Sequence, residues 1–131
     1  GFNTGLLYSF VFISSFSKLG IFKIFIIYIY NMKEKIILKK SEKPDKRFKM
    51  IFDNKTIHFG SGKPTGKGAY IDHKDDKIKE NWIKRHKVRE DHNNPKTAGA
   101  LSRHILWSEK TLDKSIKHFE KKFKNYDIIK K

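Results

Sequence analysis

The spacing of apolar and polar positions changes twice along this chain. From Leu6 to Tyr30 apolar residues dominate, broken by a few small polar residues and by Lys18 and Lys23. From Lys35 onward the pattern becomes a short-period one. β-rich runs at Lys35–Lys39, Arg47–Phe52 and Thr56–Phe59 predict three short strands. Ser41-Glu42-Lys43-Pro44-Asp45 breaks the first from the second, and Asp53-Asn54-Lys55 joins the second to the third as a hairpin turn. In the middle run Phe48, Met50 and Phe52 alternate with Lys49 and Ile51, which gives it one inward face. The run Gly60–Gly68, with four glycines and Pro64, reads as a loop.

Beyond that loop a helical period takes over. Asp75 or Asp76 is positioned to cap a helix reaching about Glu90, with Ile78, Trp82, Ile83 and His86 on one side. Asn93-Asn94-Pro95 ends it. Thr97 caps a second helix, Ala98–Trp107, with Trp107 expected as a core plug beneath the next helix. Thr111 caps that third helix, in which Leu112, Ile116, Phe119 and Phe123 form an apolar stripe opposite Lys114, Lys117, Lys121 and Lys124. The whole pattern predicts an α+β fold: a small N-terminal antiparallel sheet of about three strands followed by about three α-helices on one face.

Composition sharpens the first of these changes into a boundary at Met32. Residues 1–31 hold no Asp, Glu or His but 6 of the 11 Phe, whereas residues 32–131 carry 28 Lys and Arg against 14 Asp and Glu. The expected organisation is a hydrophobic leader, residues 1–31, and a single basic domain, residues 32–131. The leader has two readings: a gene-model extension translated from AT-rich DNA ahead of a start at Met32, or a membrane anchor. Against the anchor, each of Lys18 and Lys23 would cost about 2.5–3.5 kcal/mol near a bilayer centre. A secretory signal fits poorly, because no basic segment precedes Leu6 and no small-residue cleavage site precedes Met32. The expected location is therefore intracellular.

The absence of cysteine excludes disulfides and thiolate metal sites. The net charge of the basic domain, +14, points to a polyanionic partner, nucleic acid first, because such a charge repels itself unless neutralised. Lys84-Arg85-His86-Lys87-Val88-Arg89 is the densest basic patch, so Lys84, Arg85, Lys87 and Arg89 form the leading contact set. Lys63, Lys67 and Lys74 around the glycine loop come second, and Lys114, Lys117, Lys121 and Lys124 third. Lysine meets phosphate as a point charge, and no Arg, Asn or Gln set is arranged for base readout, so contact with duplex DNA would be largely independent of sequence. The bland alternative is a set of solvated faces.

Other chemistry fails on spacing. Gly60-Ser61-Gly62-Lys63-Pro64-Thr65 resembles a P-loop only superficially: Ile57 stands where the first glycine is required, and Pro64 where a magnesium-binding hydroxyl is required. His73-Lys74-Asp75-Asp76 and Glu90-Asp91-His92-Asn93 lack the framework of a nuclease or metal site. Asp72, Asp75 and Asp76 read better as helix caps, and His86 as a hydrogen-bonded residue at the core edge. No catalytic residue, metal or cofactor is expected.

In order along the chain stand Ile57-His58-Phe59-Gly60, Tyr70-Ile71-Asp72-His73-Lys74-Asp75, Ile83-Lys84-Arg85-His86 and Thr97-Ala98-Gly99-Ala100-Leu101-Ser102-Arg103-His104-Ile105-Leu106-Trp107. Together these resemble a family of small, basic, uncharacterised proteins of large nucleocytoplasmic DNA viruses of algae and amoebae, over about residues 35–123. Where such proteins tend to carry aromatics, this chain has His92, Leu101 and His104. The resemblance implies a fold and a viral setting (host nucleus, viral factory or virion) and no activity. The function expected is non-enzymatic nucleic-acid binding. The competing class is a virion interaction protein that meets an acidic protein partner, or a membrane-anchored basic protein where residues 1–31 are translated.

Overall fold

A computed structural model describes residues 18–63 and 66–131. The chain divides into two units between Lys33 and Glu34. In the first, helix α1 spans Lys18–Met32, and Phe22, Phe25, Ile26 and Ile27 along it are exposed. The rest of the expected leader, residues 1–17, lies outside the described residues, as do Pro64 and Thr65 of the glycine loop. Among the described residues no helix is long and apolar enough to cross a membrane.

The second unit is α+β. Strands β1 (Glu34–Lys40), β2 (Lys46–Ile51) and β3 (Thr56–Ser61) occur where the alternation predicts them. The two turns between them also hold: Ser41 N–H donates to Arg47 O, and Phe52 N–H to Lys55 O. A fourth strand, β4 (Tyr126–Lys130), is not foreshadowed by the pattern. It pairs parallel with β1, so the sheet is mixed, of order β3-β2-β1-β4, rather than a three-stranded antiparallel one. Residues at every second position bury one face: Ile36 and Leu38, Met50 and Phe52, Ile57 and Phe59. Phe48 is half-buried on the same face and packs against Phe59, with ring centroids 6.1 Å apart.

The helical half differs in detail from its expected outline. A single turn, α2 (Tyr70–His73), ends at Lys74, whose φ of 58° stops it. Helix α3 runs only Asp76–His86, four residues short of Glu90, with Lys87 closing its last turn. Asp75 does cap it, accepting from the N–H groups of Lys77 and Ile78. The second helix is α only over Ala98–Leu101 (α4) and widens into a π turn at Ser102–Leu106, where Trp107 N–H reaches Ser102 O. Helix α5 (Leu112–Lys122) has the predicted cap at Thr111 and the predicted stripe, with Phe119 and Ser115 fully buried. α4, the π turn and α5 cover the core, where Leu101, Ile105, Leu106 and Phe119 join the sheet residues.

Candidate nucleic-acid interface

A cleft of about 860 Å³ opens among β2, β3, the glycine loop, α3 and α4. Its inner surface contains Phe59, Leu106, Trp82 and Trp107. The two tryptophans stack nearly parallel, at 4.8 Å and 9°, and His86 continues the stack beyond Trp82 at 4.0 Å and 16°. Trp82 and His86 are four residues apart on α3, which places them one turn above the other. Trp107 arrives from the end of the π turn and packs against Trp82 and His73, buried in the core as the sequence suggested. Both tryptophans are buried, so rings meet the cleft by their margins.

Glu90 fixes the histidine end of the stack. Its carboxylate accepts from His86 Nδ1 at 2.7 Å and from His92 Nε2 at 3.1 Å. Burial alone would raise the Glu90 carboxyl, but these two hydrogen bonds more than offset it and hold the group below its ordinary range. Gly99 makes room for the arrangement: a Cβ there would lie 2.5 Å from Glu90 Oε2. His86 is thus the hydrogen-bonded, half-buried residue that its helical position suggests.

Four cations line the same cleft: Lys46 and Arg47 from β2, Lys67 from the glycine loop and Arg85 from α3. Arg47 is held from behind by a two-point pair with Asp72, Nη1 to Oδ2 at 2.6 Å and Nη2 to Oδ1 at 2.9 Å. That pair keeps the Asp72 carboxyl below the usual carboxylate range. Asp72 Oδ2 also accepts from Ala69 N–H at 2.8 Å, so the carboxylate closes α2 and steadies Arg47 at once. Gly68, with φ of 83°, lets the loop pass Asp72, where a Cβ would come within 2.7 Å of Oδ2.

The eleven cations singled out from the sequence are all exposed, but they do not form one surface. Lys84 and Arg85 occupy the last turn of α3, where the helix dipole favours positive charge. Lys87 and Arg89 lie at and beyond its end, so a single four-residue helical face does not exist. Lys63 and Lys67 flank the glycine loop, and Lys74 closes α2. Lys114, Lys117 and Lys121 stand on α5 with Lys124 in the turn after it, and none of these four lines the cleft. Only Lys67 and Arg85 of the eleven meet there. Lys46 and Arg47 escape a reading of the sequence, because a strand places them at the cleft and Arg47 pairs with a carboxylate 25 positions away, which leaves no local pattern.

Among the described residues no group of three or more His, Asp or Glu is placed to hold a metal ion. Asp76 accepts the Tyr70 hydroxyl at 2.5 Å, which pushes the Tyr70 pKa up to about 12.

Over residues 36–86 the chain matches the model of a family of unknown function (DUF5754). The matched stretch runs from β1 to the end of α3 and stops short of Glu90, Gly99 and Trp107. No curated protein and no solved structure matches the chain. The match carries no activity with it, and the viral resemblance rests on the four sequence strings alone.

Proposed function

We propose that the basic unit is a non-enzymatic binder of nucleic acid, duplex DNA first, held through phosphate contacts with little dependence on sequence. One observation carries this reading: many of the acids are engaged by cations, histidines or backbone N–H groups, while most of the cations singled out from the sequence form no salt bridge among the described residues. Asp72, Glu42, Glu80 and Asp113 pair with Arg or Lys, Glu90 with two histidines, and Asp75, Asp91 and Glu120 with backbone N–H groups. Of the eleven singled-out cations only Lys84 forms a salt bridge among the described residues, with Glu80 at 3.2 Å. A field of this kind is neutralised when a polyanion displaces small counter-ions, which makes binding steeply salt-dependent.

The test is a salt titration of duplex-DNA binding by the 131-residue chain, read by fluorescence anisotropy. A log–log slope equivalent to about four or more phosphates, with binding retained near physiological salt, is the expected result. In a folded variant with Lys84, Arg85 and Lys87 changed to Glu, the slope should fall by about 0.9 for each phosphate that these residues no longer neutralise. Binding that vanishes by about 0.1 M salt would leave the charge as background. Saturable one-to-one binding to an acidic protein would then become the better account.

A further inference from the structure

We infer that the cleft between the glycine loop and α3 receives one unpaired nucleotide, its base against the tryptophan–histidine stack and its phosphate among the cations. This rests on the nucleic-acid reading and adds a preference to it: DNA with an unpaired end over DNA that is fully paired.

Three features of the cleft converge on an anionic, planar ligand. Its volume, about 860 Å³, lies in the range of small-molecule sites. Positive charge there is of two kinds: Arg47, steadied by Asp72, and the exposed Lys67 and Arg85, which form no salt bridge among the described residues, beside the lining carboxylates of Asp45 and Glu90. A phosphate is best held by both a fixed donor fork and charges that can close on it. The ring stack supplies the third feature. His86 stacks on Trp82, lines the cleft and is 37% exposed at its side chain, so the ring stack reaches solvent there. Glu90 holds that ring at a set angle before any ligand arrives. A duplex keeps its bases stacked on each other, so only a strand end, an overhang or an extruded base can use such a surface.

The chain's two tryptophans, Trp82 and Trp107, both line the cleft, so their fluorescence reports on it directly. Titration of the intact chain with a deoxynucleoside monophosphate should quench that signal saturably, where inorganic phosphate at equal concentration should not. By anisotropy, a duplex with a short 3′ overhang should bind about tenfold tighter than the same duplex blunt-ended, at one salt concentration. Ala98→Phe, which fills the cleft from an exposed position on its lining, should erase the overhang's advantage. Equal affinity for the two DNAs, with a nucleotide response no larger than that of phosphate, overturns the inference and leaves duplex binding standing. Failure of both DNAs to bind overturns the nucleic-acid reading and the inference with it. Should Ala98→Phe fail to fold, the overhang comparison and the nucleotide titration on the unaltered chain still decide.

Discussion

His104 is the residue whose environment departs furthest from what its sequence neighbours suggest. It is buried, donates from Nε2 to His92 O at 2.7 Å, and meets His118 Nε2 with its Nδ1 at 3.1 Å. With Nε2 committed as donor, Nδ1 must accept, so His118 supplies the proton between them and the His104 ring is neutral. Burial pushes the His104 pKa down from 6.5 to about 4 and lowers His118 as well. The unfolded chain therefore takes up a proton near pH 6.5 that the folded chain refuses until about pH 4. Stability should fall as pH drops through that window, by about 3 kcal/mol in all. Urea midpoints at about pH 7 and about pH 4.5 measure it, and His104→Phe should flatten the difference. Carboxylates held low, such as Asp72 and Glu90, give up their contribution from the acid end of that range downward. A second residue-scale prediction concerns Gly99. Gly99→Ala should displace Glu90 from His86 and His92 at a cost on the order of 1 kcal/mol, seen as a lower urea midpoint and altered tryptophan fluorescence.

Among the elements, α5 and β4 stand at opposite ends of legibility. The stripe Leu112, Ile116, Phe119, Phe123 and the cap at Thr111 are local signals, and the helix forms where they place it. Thr111→Ala removes the acceptor for Lys114 N–H and should lower stability by about 1 kcal/mol in chemical denaturation. β4 gives no comparable signal, because its partner β1 is about ninety residues away in the chain. What decides it is tertiary: Tyr126 packs edge-on against Phe52 at 5.5 Å, and Ile128 N–H donates to Glu120 on α5. Deleting residues 126–131 strips β1 of that neighbour. The truncated chain should unfold at clearly lower urea and aggregate through the uncovered strand, as light scattering would show. Residues through Glu90 fit a helical pattern, and Glu90 N–H still donates to His86 O, but the regular helix ends at His86 with Lys87 closing its last turn.

At the scale of the whole molecule the governing quantity is charge, +16 over 131 residues. Lys and Arg outnumber Asp and Glu by 30 to 14, and a net positive charge of this size opposes compaction. Raising salt from about 20 to about 200 mM should therefore raise the thermal midpoint, since screening weakens that repulsion. A short duplex DNA should raise it further at equal ionic strength if the proposed function holds.

By itself the sequence determined the α+β class, the three-strand meander, a cap at Asp75 or Asp76, the caps at Thr97 and Thr111, the core stripe of α5 and the basic character of everything beyond Met32. Each is a local or compositional property: a period, a capping hydroxyl or carboxylate, a count of charges. Only the tertiary structure decided that the sheet is mixed, that the second helix widens before Trp107, and that Lys46, Arg47, Lys67 and Arg85 share a cleft with a tryptophan–histidine stack. Those facts depend on which distant segments pack together, and packing free energy is set by burial and pairing across the fold rather than by any short stretch of chain.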